Sequence, residues 1–389
     1  MNSKYTKFSI NDLNRENNLD FLRFIFATLV IFSHSYPLRY GEEIGNAIEP
    51  FSVLTNGQIT GGKIAVAYFF IISGFLITQS WLKNKRLDNY IIRRFLRIYP
   101  GFIAMSIFCL VIVSPIATGD RNQWLAEINP FQFIVHQALL YFPGNQYVFA
   151  TNPIPGAING SAWTIRYEFW CYIFLAALGI IGLLKQRLLM LGLFVFWLFM
   201  LAGWSATGGV SIELFENNYA KMIFGELNHH IEFIGFFLAG SMFFLYRDKI
   251  LFSAKLFILS ILVLIALSAL GIGLIFGLMT FGAYVVFYLG FFPTKRLSRF
   301  ASKGDFSYGI YLYAFPIQQL IVLFLGTSLS PLSISLLALP PTLALAFLSW
   351  HIVELPCLKL KDRLQQLTSF TPNNSAAHKQ SICDKELQG

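Results

Sequence analysis

The chain has 389 residues, of which 56% are hydrophobic, 17% are aromatic and only 13% are charged. Soluble domains carry roughly twice that charged fraction, so the composition excludes an ordinary soluble protein and indicates one that lies in a lipid bilayer. The formal net charge of +9 is explained first by basic residues kept on one side of a membrane, so no nucleic-acid partner is predicted.

Apolar segments along the chain predict an all-α integral membrane protein with about ten transmembrane helices, because a helix that crosses the hydrocarbon core needs roughly 20 apolar residues. The stretch 255–292 is too long for one such helix and is predicted to break near Gly271 and Gly273. The predicted spans are 19–37, 63–82, 98–118, 161–184, 187–205, 230–247, two within 255–292, 306–326 and 332–354.

Basic residues cluster after every second predicted span, on the side of the N-terminus. By the positive-inside rule, both termini are predicted to lie in the cytoplasm. The predicted organisation is a cytoplasmic N-terminal segment at 1–18, a membrane domain at 19–356 and a cytoplasmic tail at 357–389 whose polar composition is typical of disorder. The clusters are Lys83, Lys85, Arg86, Arg93, Arg94 and Arg97; Lys185 and Arg187; Arg247, Lys249 and Lys255; Lys295, Arg296, Arg299 and Lys303; and Lys359, Lys361 and Arg363.

The first span contains two ionisable residues, Arg23 and His34, with ten residues between them. On a straight helix they are ~16 Å apart along the axis. Ionisable groups at membrane depth are costly and often mark a functional site, and a histidine can accept a proton near neutral pH. The alternatives are that Arg23 extends to lipid headgroups or pairs with Asp20, and that His34 is structural.

The motif RRFLRIYP begins the third span with Arg94 and Arg97 one helical turn apart, so both can face the same way. Guanidinium groups bind phosphate through two parallel hydrogen bonds, which makes this pair a candidate phosphate site. The alternative is an ordinary positive-inside cluster. The sequence has no glycine-rich phosphate loop, so it gives no support for a reaction driven by ATP.

The motif SAWTIRYEFWCY places Trp163, Arg166 and Glu168 near the start of the fourth span, at the end of the bundle where His34 is expected. Glu168 is predicted to orient His34 or to bind a substrate hydroxyl. The alternatives are an ion pair between Glu168 and Arg166 or with another helix, and an interfacial position for Trp163.

Three further residues have ligand-type side chains, His229, His230 and Glu232, near the start of the sixth span. Adjacent histidines on a helix point in different directions, so we predict no metal site. Glu354, at the end of the tenth span, is expected to form an ion pair with a neighbouring helix.

These motifs together resemble those of the membrane-bound acyltransferase-3 family, whose members O-acylate sugars and other acceptors. The pair of Arg23 and His34 is similar to the leading motif of the family, RRFLRIYP to its paired-arginine motif, and SAWTIRYEFWCY to its tryptophan–glutamate segment. AYFFIISGFLI with Ser73, FSYGIYLYAFP with Tyr311, and SWHIVELP resemble its second, ninth and closing motifs. Ala314 departs from the ninth motif, which often has a histidine or other polar residue there.

The resemblance implies an O-acyltransferase in the bacterial inner membrane that has no permanently bound cofactor and uses acyl-CoA, usually acetyl-CoA, as co-substrate. The implied acceptor is a hydroxyl on the outer face, in lipopolysaccharide, exopolysaccharide or a lipid-linked saccharide. Direct transfer and an acyl-enzyme route both stay open. The implied site residues are His34 as general base, Glu168 to hold the imidazole or the acceptor, Arg23, Arg94 and Arg97 for the donor, and Ser73, Trp163 and Tyr311 in support.

Two other classes of protein share some of these features. A transporter or flippase of lipid-linked saccharides would also have many spans and buried charges, although the sequence lacks the internal repeats typical of transporters. A membrane glycosyltransferase would need acidic residues in an outer loop, where Asp120 and Glu127 are candidates. Binding of CoA separates an acyltransferase from both.

Overall fold

The computed structural model describes residues 6–7, 17–84, 86–206, 218–292, 297, 300 and 304–360. Apart from Thr6 and Lys7, the predicted N-terminal segment up to residue 16 lies outside the described residues, as does the predicted tail from 361 onward. The same holds for seven residues of the basic clusters, namely Lys85, Lys295, Arg296, Arg299, Lys303, Lys361 and Arg363.

The described chain is a bundle of helices with one short sheet. In chain order the helices are α1 (Leu19–Tyr40), α2 (Glu42–Ile48), α3 (Pro50–Leu54), α4 (Gly61–Lys83), α5 (Leu87–Phe108), α6 (Ser114–Ala117), α7 (Arg121–Glu127), α8 (Pro130–Ala138), α9 (Trp163–Ile180), α10 (Arg187–Ala206), α11 (Asn218–Phe224), α12 (Leu227–Leu245), α13 (Ala254–Leu270), α14 (Leu274–Gly277), α15 (Ala283–Phe291), α16 (Ser307–Leu325) and α17 (Pro331–Ser349), with a 3-10 turn at Leu183–Lys185. Strands β1 (Thr6–Lys7) and β2 (Leu251–Phe252) pair antiparallel.

Helices occupy all the positions predicted as spans. Wider π-helical turns at Cys109–Val113, Leu278–Gly282 and Trp350–Glu354 continue α5, α14 and α17. Within the described ranges, seven helices are long and apolar enough to cross a membrane. A mostly helical, multi-pass membrane protein is thus confirmed, whereas a count of ten spans and the cytoplasmic position of the termini stay predictions. The break predicted in 255–292 is present, because Gly271 and Gly273 both have positive φ angles between α13 and α14.

Helices α4 and α12 make the closest helix contact through two glycines. A Cβ atom added to Gly74 would lie 1.9 Å from the carbonyl oxygen of Phe237, and one added to Gly240 would lie 1.8 Å from that of Ile71. Such contacts leave no room for any side chain, and small residues are what let helix backbones approach in a membrane. The glycine of the SGF sequence in the second span is therefore explained by helix packing.

The directions of the helices follow from contacts at their ends. Arg23, near the start of α1, pairs with Asp305, just before α16, and His34 further along α1 contacts Phe315 in α16. Helices α1 and α16 therefore run in the same direction. His34 also contacts Ser161, just before α9, so α9 runs the opposite way. We call the two ends of the bundle the Arg23 end and the His34 end.

Candidate active site

A cavity of about 260 Å³ lies among α1, α4, α5, α9 and α16. Its walls are mainly apolar, from residues such as Phe69, Leu76 and Ile165, and its polar side chains come from several separate motifs. The structure brings six of the eight predicted site residues together around it, while His34 and Trp163 are outside its lining. The six are Arg23, Ser73, Arg94, Arg97, Glu168 and Tyr311.

Two of the three predicted donor-binding arginines already have a counter-ion. Arg23 and Arg97 both donate hydrogen bonds to the same oxygen, Oδ2 of Asp305. The other oxygen, Oδ1, accepts from the backbone N–H and the hydroxyl of Ser307. Burial by itself raises the pKa of the Asp305 carboxyl, but the two guanidinium groups and the hydrogen bonds from Ser307 together outweigh it and hold the pKa below its ordinary value. Asp305 therefore fixes Arg23 and Arg97 in place and neutralises part of their charge.

Two more carboxylates lie near this bridge. Asp20 Oδ1 is 3.8 Å from Arg23 Nη1, as the sequence allowed, and Glu354 Oε2 is 3.9 Å from Arg97 Nη1. The prediction that Glu354 forms an ion pair with a neighbouring helix is thus confirmed. With Asp305, these residues link α1, α5, the start of α16 and the end of α17 at the Arg23 end of the bundle.

Arg94 is in a different electrostatic position from Arg23 and Arg97. In the described part of the chain, no carboxylate forms an ion pair with Arg94. Its guanidinium lies 5.8 Å from the ring centroid of Tyr90 and 5.7 Å from that of Tyr172, and Nη2 is 3.5 Å from Ser80 Oγ. Its Nε is buried without a hydrogen-bond partner. Arg94 is partly buried, and a buried donor atom without a partner is costly, so this side chain is ready to bind an anion in the cavity.

The carboxylate of Glu168 is held by two hydroxyl groups rather than by a histidine or an arginine. Its Oε1 accepts hydrogen bonds from Ser73 Oγ at 3.1 Å and from the hydroxyl of Tyr172, one turn along α9. The hydroxyls of Ser73 and Tyr172 are 3.2 Å apart. All three side chains line the cavity. Glu168, Ser73 and Tyr172 therefore place one carboxylate and two hydroxyl groups, from α4 and α9, at one point of the cavity wall.

Tyr311 and Thr164 form the wall of the cavity on the side of the His34 motif. The Tyr311 hydroxyl is 2.5 Å from Thr164 Oγ1, and Thr164 Oγ1 also donates to the carbonyl of Ser161. Both side chains line the cavity. A short series of contacts, from Tyr311 through Thr164 to Ser161, thus connects the cavity to the surroundings of His34.

His34 is half-buried beyond this wall. Its Nδ1 is 3.4 Å from Ser161 Oγ, and its ring meets that of Phe315 edge to face, with centroids 5.3 Å apart. The prediction that Glu168 orients His34 receives no support from the described hydrogen bonds, since Ser161 is the residue at the ring nitrogen and Glu168 binds Ser73 and Tyr172. A hydrogen bond at one ring nitrogen fixes which nitrogen of a histidine carries the proton, and Ser161 is placed to make such a bond with Nδ1.

Arg166 and Trp163, the other two residues predicted from the motif SAWTIRYEFWCY, contact residues other than Glu168. Arg166 donates to the backbone carbonyls of Lys221 and Met222 rather than to Glu168, so the local ion pair weighed from the sequence is absent from the described contacts. Trp163 is 40% exposed and lies against His229 and Phe233. The motif therefore splits, with Glu168 on the cavity and Trp163 on an outer aromatic cluster.

His229, His230 and Glu232, which were considered as metal ligands from the sequence, have other partners. Glu232 pairs with Lys63 at 2.9 Å, and His230 Nε2 is 2.6 Å from the carbonyl oxygen of Phe224. His229 lies against the aromatic rings of Trp163 and Phe233. Among the described residues, no group of three or more ligand-type side chains could hold a metal ion.

Sequence reasoning missed three polar residues around the site. Asp305 was visible as a polar residue directly before a predicted span and Ser161 as the first residue of one, yet neither was assigned a partner. Gln318 was visible as an amide inside an apolar span; its Nε2 donates to Ser35 Oγ and to the carbonyl of Ile31, both at 2.7 Å. Gln318 lies one turn after Ala314 and makes the polar contact with α1 that the side chain of Ala314 cannot make.

Comparisons with known proteins identify the family of this chain. A family model described as an acyltransferase domain matches residues 16–351, so the chain belongs to the acyltransferase-3 family. A protein of Shigella phage Sf6 named O-acetyl transferase is 27% identical over 348 residues, which is 88% of this chain and 96% of that protein. Nodulation protein 10 of Rhizobium leguminosarum bv. viciae is 26% identical over 388 residues, covering 90% of this chain and 95% of its own length. No solved structure matches significantly.

Proposed function

We propose that this protein is an O-acyltransferase that moves an acetyl group from cytoplasmic acetyl-CoA to a hydroxyl of a cell-surface or lipid-linked glycan at the outer face of the inner membrane. The family and the name of the phage relative support acyl transfer. One observation carries the finer proposal. A single cavity joins an arginine cluster at the Arg23 end to hydroxyl and carboxylate groups, and its far wall contacts the surroundings of His34.

The donor is assigned to the Arg23 end. CoA is an anion with several phosphates, and the positive-inside rule places this end of the bundle in the cytoplasm, where CoA is found. Arg94 is the residue proposed to grip a phosphate, because it has no carboxylate partner in the described chain, whereas Arg23 and Arg97 are shared with Asp305. The mainly apolar cavity then holds the pantetheine arm, with its thioester pointing toward the His34 end.

His34 is proposed to act on the acceptor. As the acceptor hydroxyl attacks the acyl carbonyl carbon, the imidazole takes its proton, and general-base help of this kind is worth ~10²–10⁴ in rate. This role requires the tautomer in which Nδ1–H donates to Ser161 Oγ, 3.4 Å away, and the lone pair for the proton lies on Nε2.

The experiment is a titration of the purified protein in lipid nanodiscs with acetyl-CoA. Removing the charge-assisted hydrogen bonds of Arg94 with Arg94→Ala is expected to weaken binding by roughly ten- to a hundredfold, because such bonds contribute about 1.5–3 kcal/mol. Arg94→Lys should bind with intermediate affinity, since a lysine keeps the charge but lacks the planar fork.

Arg187→Ala is the matched control, because Arg187 pairs with Asp248 and is outside the cavity lining. It should bind acetyl-CoA like the wild type. If the wild-type protein bound no CoA, the proposal that acetyl-CoA is the donor would be contradicted and a transporter would be favoured. Equal affinities for the Arg94 and Arg187 variants would remove Arg94 from the site.

A further inference from the structure

Ser73 has the geometry of a nucleophile next to a base. Its Oγ donates a hydrogen bond of 3.1 Å to Oε1 of Glu168, and its side chain lines the cavity. A hydroxyl paired with a carboxylate that is itself held in place is the general arrangement of an activated nucleophile. Tyr172, one turn from Glu168 on the same helix, donates to the same oxygen and holds the carboxylate in position.

The distance between Arg94 and Ser73 lets a donor whose phosphate binds Arg94 bring its thioester to Ser73. Arg94 Nη2 lies 3.5 Å from Ser80 Oγ, and Ser80 is on the same helix as Ser73. The two serines are seven positions apart, which corresponds to roughly two helical turns, about 10 Å along the axis. A donor whose phosphate is held at the level of Ser80 therefore extends its arm inward to the level of Ser73.

His34 is less well placed for this first encounter. It is outside the cavity lining, and Thr164 and Tyr311 form the wall between. Two hydroxyl groups contact Glu168 in the cavity. The hydroxyl of Tyr172 fixes the carboxylate in position, which leaves the hydroxyl of Ser73, on the facing helix α4, as the group that can attack the donor.

We propose that Ser73 is an acyl-accepting nucleophile and that transfer proceeds through an acyl-serine; this inference rests on the proposed function. Ser73 Oγ attacks the thioester carbonyl carbon, an O–C bond forms, the C–S bond breaks, and Glu168 takes the serine proton and passes it to the departing CoA thiolate. In the second half, which requires the side chains of Thr164 and Tyr311 to move out of the way, the acceptor hydroxyl attacks the ester carbonyl carbon, its proton goes to His34, and Ser73 leaves as an alkoxide that is reprotonated from the imidazolium. The products are CoA and the acylated acceptor, and no other reactant is consumed.

The experiment uses the full-length protein with acetyl-CoA labelled in the acetyl group and no acceptor. After a short incubation and acid denaturation, peptides are analysed by mass spectrometry. We expect one acetyl group on the peptide containing Ser73, removed by hydroxylamine as an ester should be. Ser73→Ala should lose the label while still binding acetyl-CoA. Glu168→Gln should bind the donor and acquire the label roughly 10²–10⁴-fold more slowly.

Thr78→Val is the matched control on the same helix. The Thr78 hydroxyl is buried and donates to the carbonyl of Gly74 in its own helix, so this variant should be labelled at the wild-type rate. A wild-type protein that binds donor and acetylates acceptor without acquiring the label would overturn the acyl-serine and leave the proposed function intact. Label that persists in Ser73→Ala on another residue would overturn it as well. Failure to bind acetyl-CoA would count against the proposed function itself.

Discussion

Replacing Asp305 with asparagine tests the charge bridge at the Arg23 end of the bundle. The substitution keeps the side-chain volume but removes the carboxylate that pairs with both Arg23 and Arg97. These side chains are only 15–20% exposed, so solvent screens them weakly. Breaking a buried pair costs about 3–5 kcal/mol, because it leaves an uncompensated charge. Asp20 and Glu354, at 3.8 and 3.9 Å from the two guanidinium groups, compensate in part, so we expect about 3 kcal/mol.

The assay is thermal unfolding of the purified protein in one detergent, followed by tryptophan fluorescence. Asp248→Asn is the matched control, because Asp248 and its partner Arg187 are 49% and 39% exposed. Such a surface pair contributes about 0–1 kcal/mol. The reasoning would be refuted if Asp305→Asn lowered the unfolding temperature no more than Asp248→Asn.

The pH dependence of the same comparison gives a second check. Burial raises the pKa of the Asp305 carboxyl, but Arg23, Arg97 and the hydrogen bonds from Ser307 together lower it more, so its net shift is downward. A carboxylate of this kind stabilises the fold above its unfolded pKa and loses that contribution as the pH falls toward its folded pKa. The difference between wild type and Asp305→Asn should therefore stay constant over roughly pH 5–8 and shrink below about pH 4. A difference that shrank as the pH rose would contradict the assignment.

Two further predictions concern packing and the histidine. Gly74→Ala forces a Cβ to within 1.9 Å of the Phe237 carbonyl oxygen and should cost about 3 kcal/mol or more, the upper range for overpacking. At Gly192 an added Cβ would have no described atom within 4 Å apart from its own helix backbone and chain neighbours, so Gly192→Ala should unfold at the wild-type temperature or slightly above. Equal unfolding temperatures for the two variants would contradict the helix contact. Ser161→Ala removes the partner of His34 Nδ1 and should lower the transfer rate roughly three- to tenfold, the value of one neutral hydrogen bond, with acetyl-CoA affinity unchanged. A parallel loss of affinity would show that Ser161 acts on the donor instead.

The sequence predicted the helices well because each depends on local composition. An apolar run of sufficient length forms a helix in a bilayer whatever surrounds it, since its backbone groups must be satisfied within the helix. The break at Gly271 and Gly273 was predicted for a similar local reason. The helix contact through Gly74 and Gly240 depends on which helices are neighbours, and no periodicity in either segment contains that information.

The partners within the site were harder to predict than its members. Residue types in motifs indicated that Arg94, Glu168 and Ser73 belong to the site, and the structure brings them to one cavity. Their pairing depends on long-range geometry, so the contact of Glu168 with Ser73, 95 positions away, was not foreseen. Glu168 was expected instead to orient His34 or to bind a hydroxyl of the substrate. Asp305 was overlooked because a single acidic residue before a span carries no motif of its own.

The positions of Ser161 and Ser73 give the two ends of the site separate chemical roles. Ser161 contacts the ring nitrogen of His34 on one side of the wall formed by Thr164 and Tyr311, and Ser73 contacts Glu168 on the other. In the proposed reaction, the first pair serves the acceptor and the second serves the donor. Under this proposal, the acyl group would cross the membrane without CoA leaving the cytoplasm.

The central claim is tested most directly by acyl transfer in membranes of the native host. Labelled acetyl-CoA is supplied to wild type and to His34→Ala at matched expression, and base-labile label in the surface polysaccharide is counted. We predict label in the wild type and a loss of about 10²–10⁴-fold in the rate of labelling by His34→Ala. Label at equal rates in both would contradict the role of His34, and label in neither would contradict the proposed acyl group or acceptor.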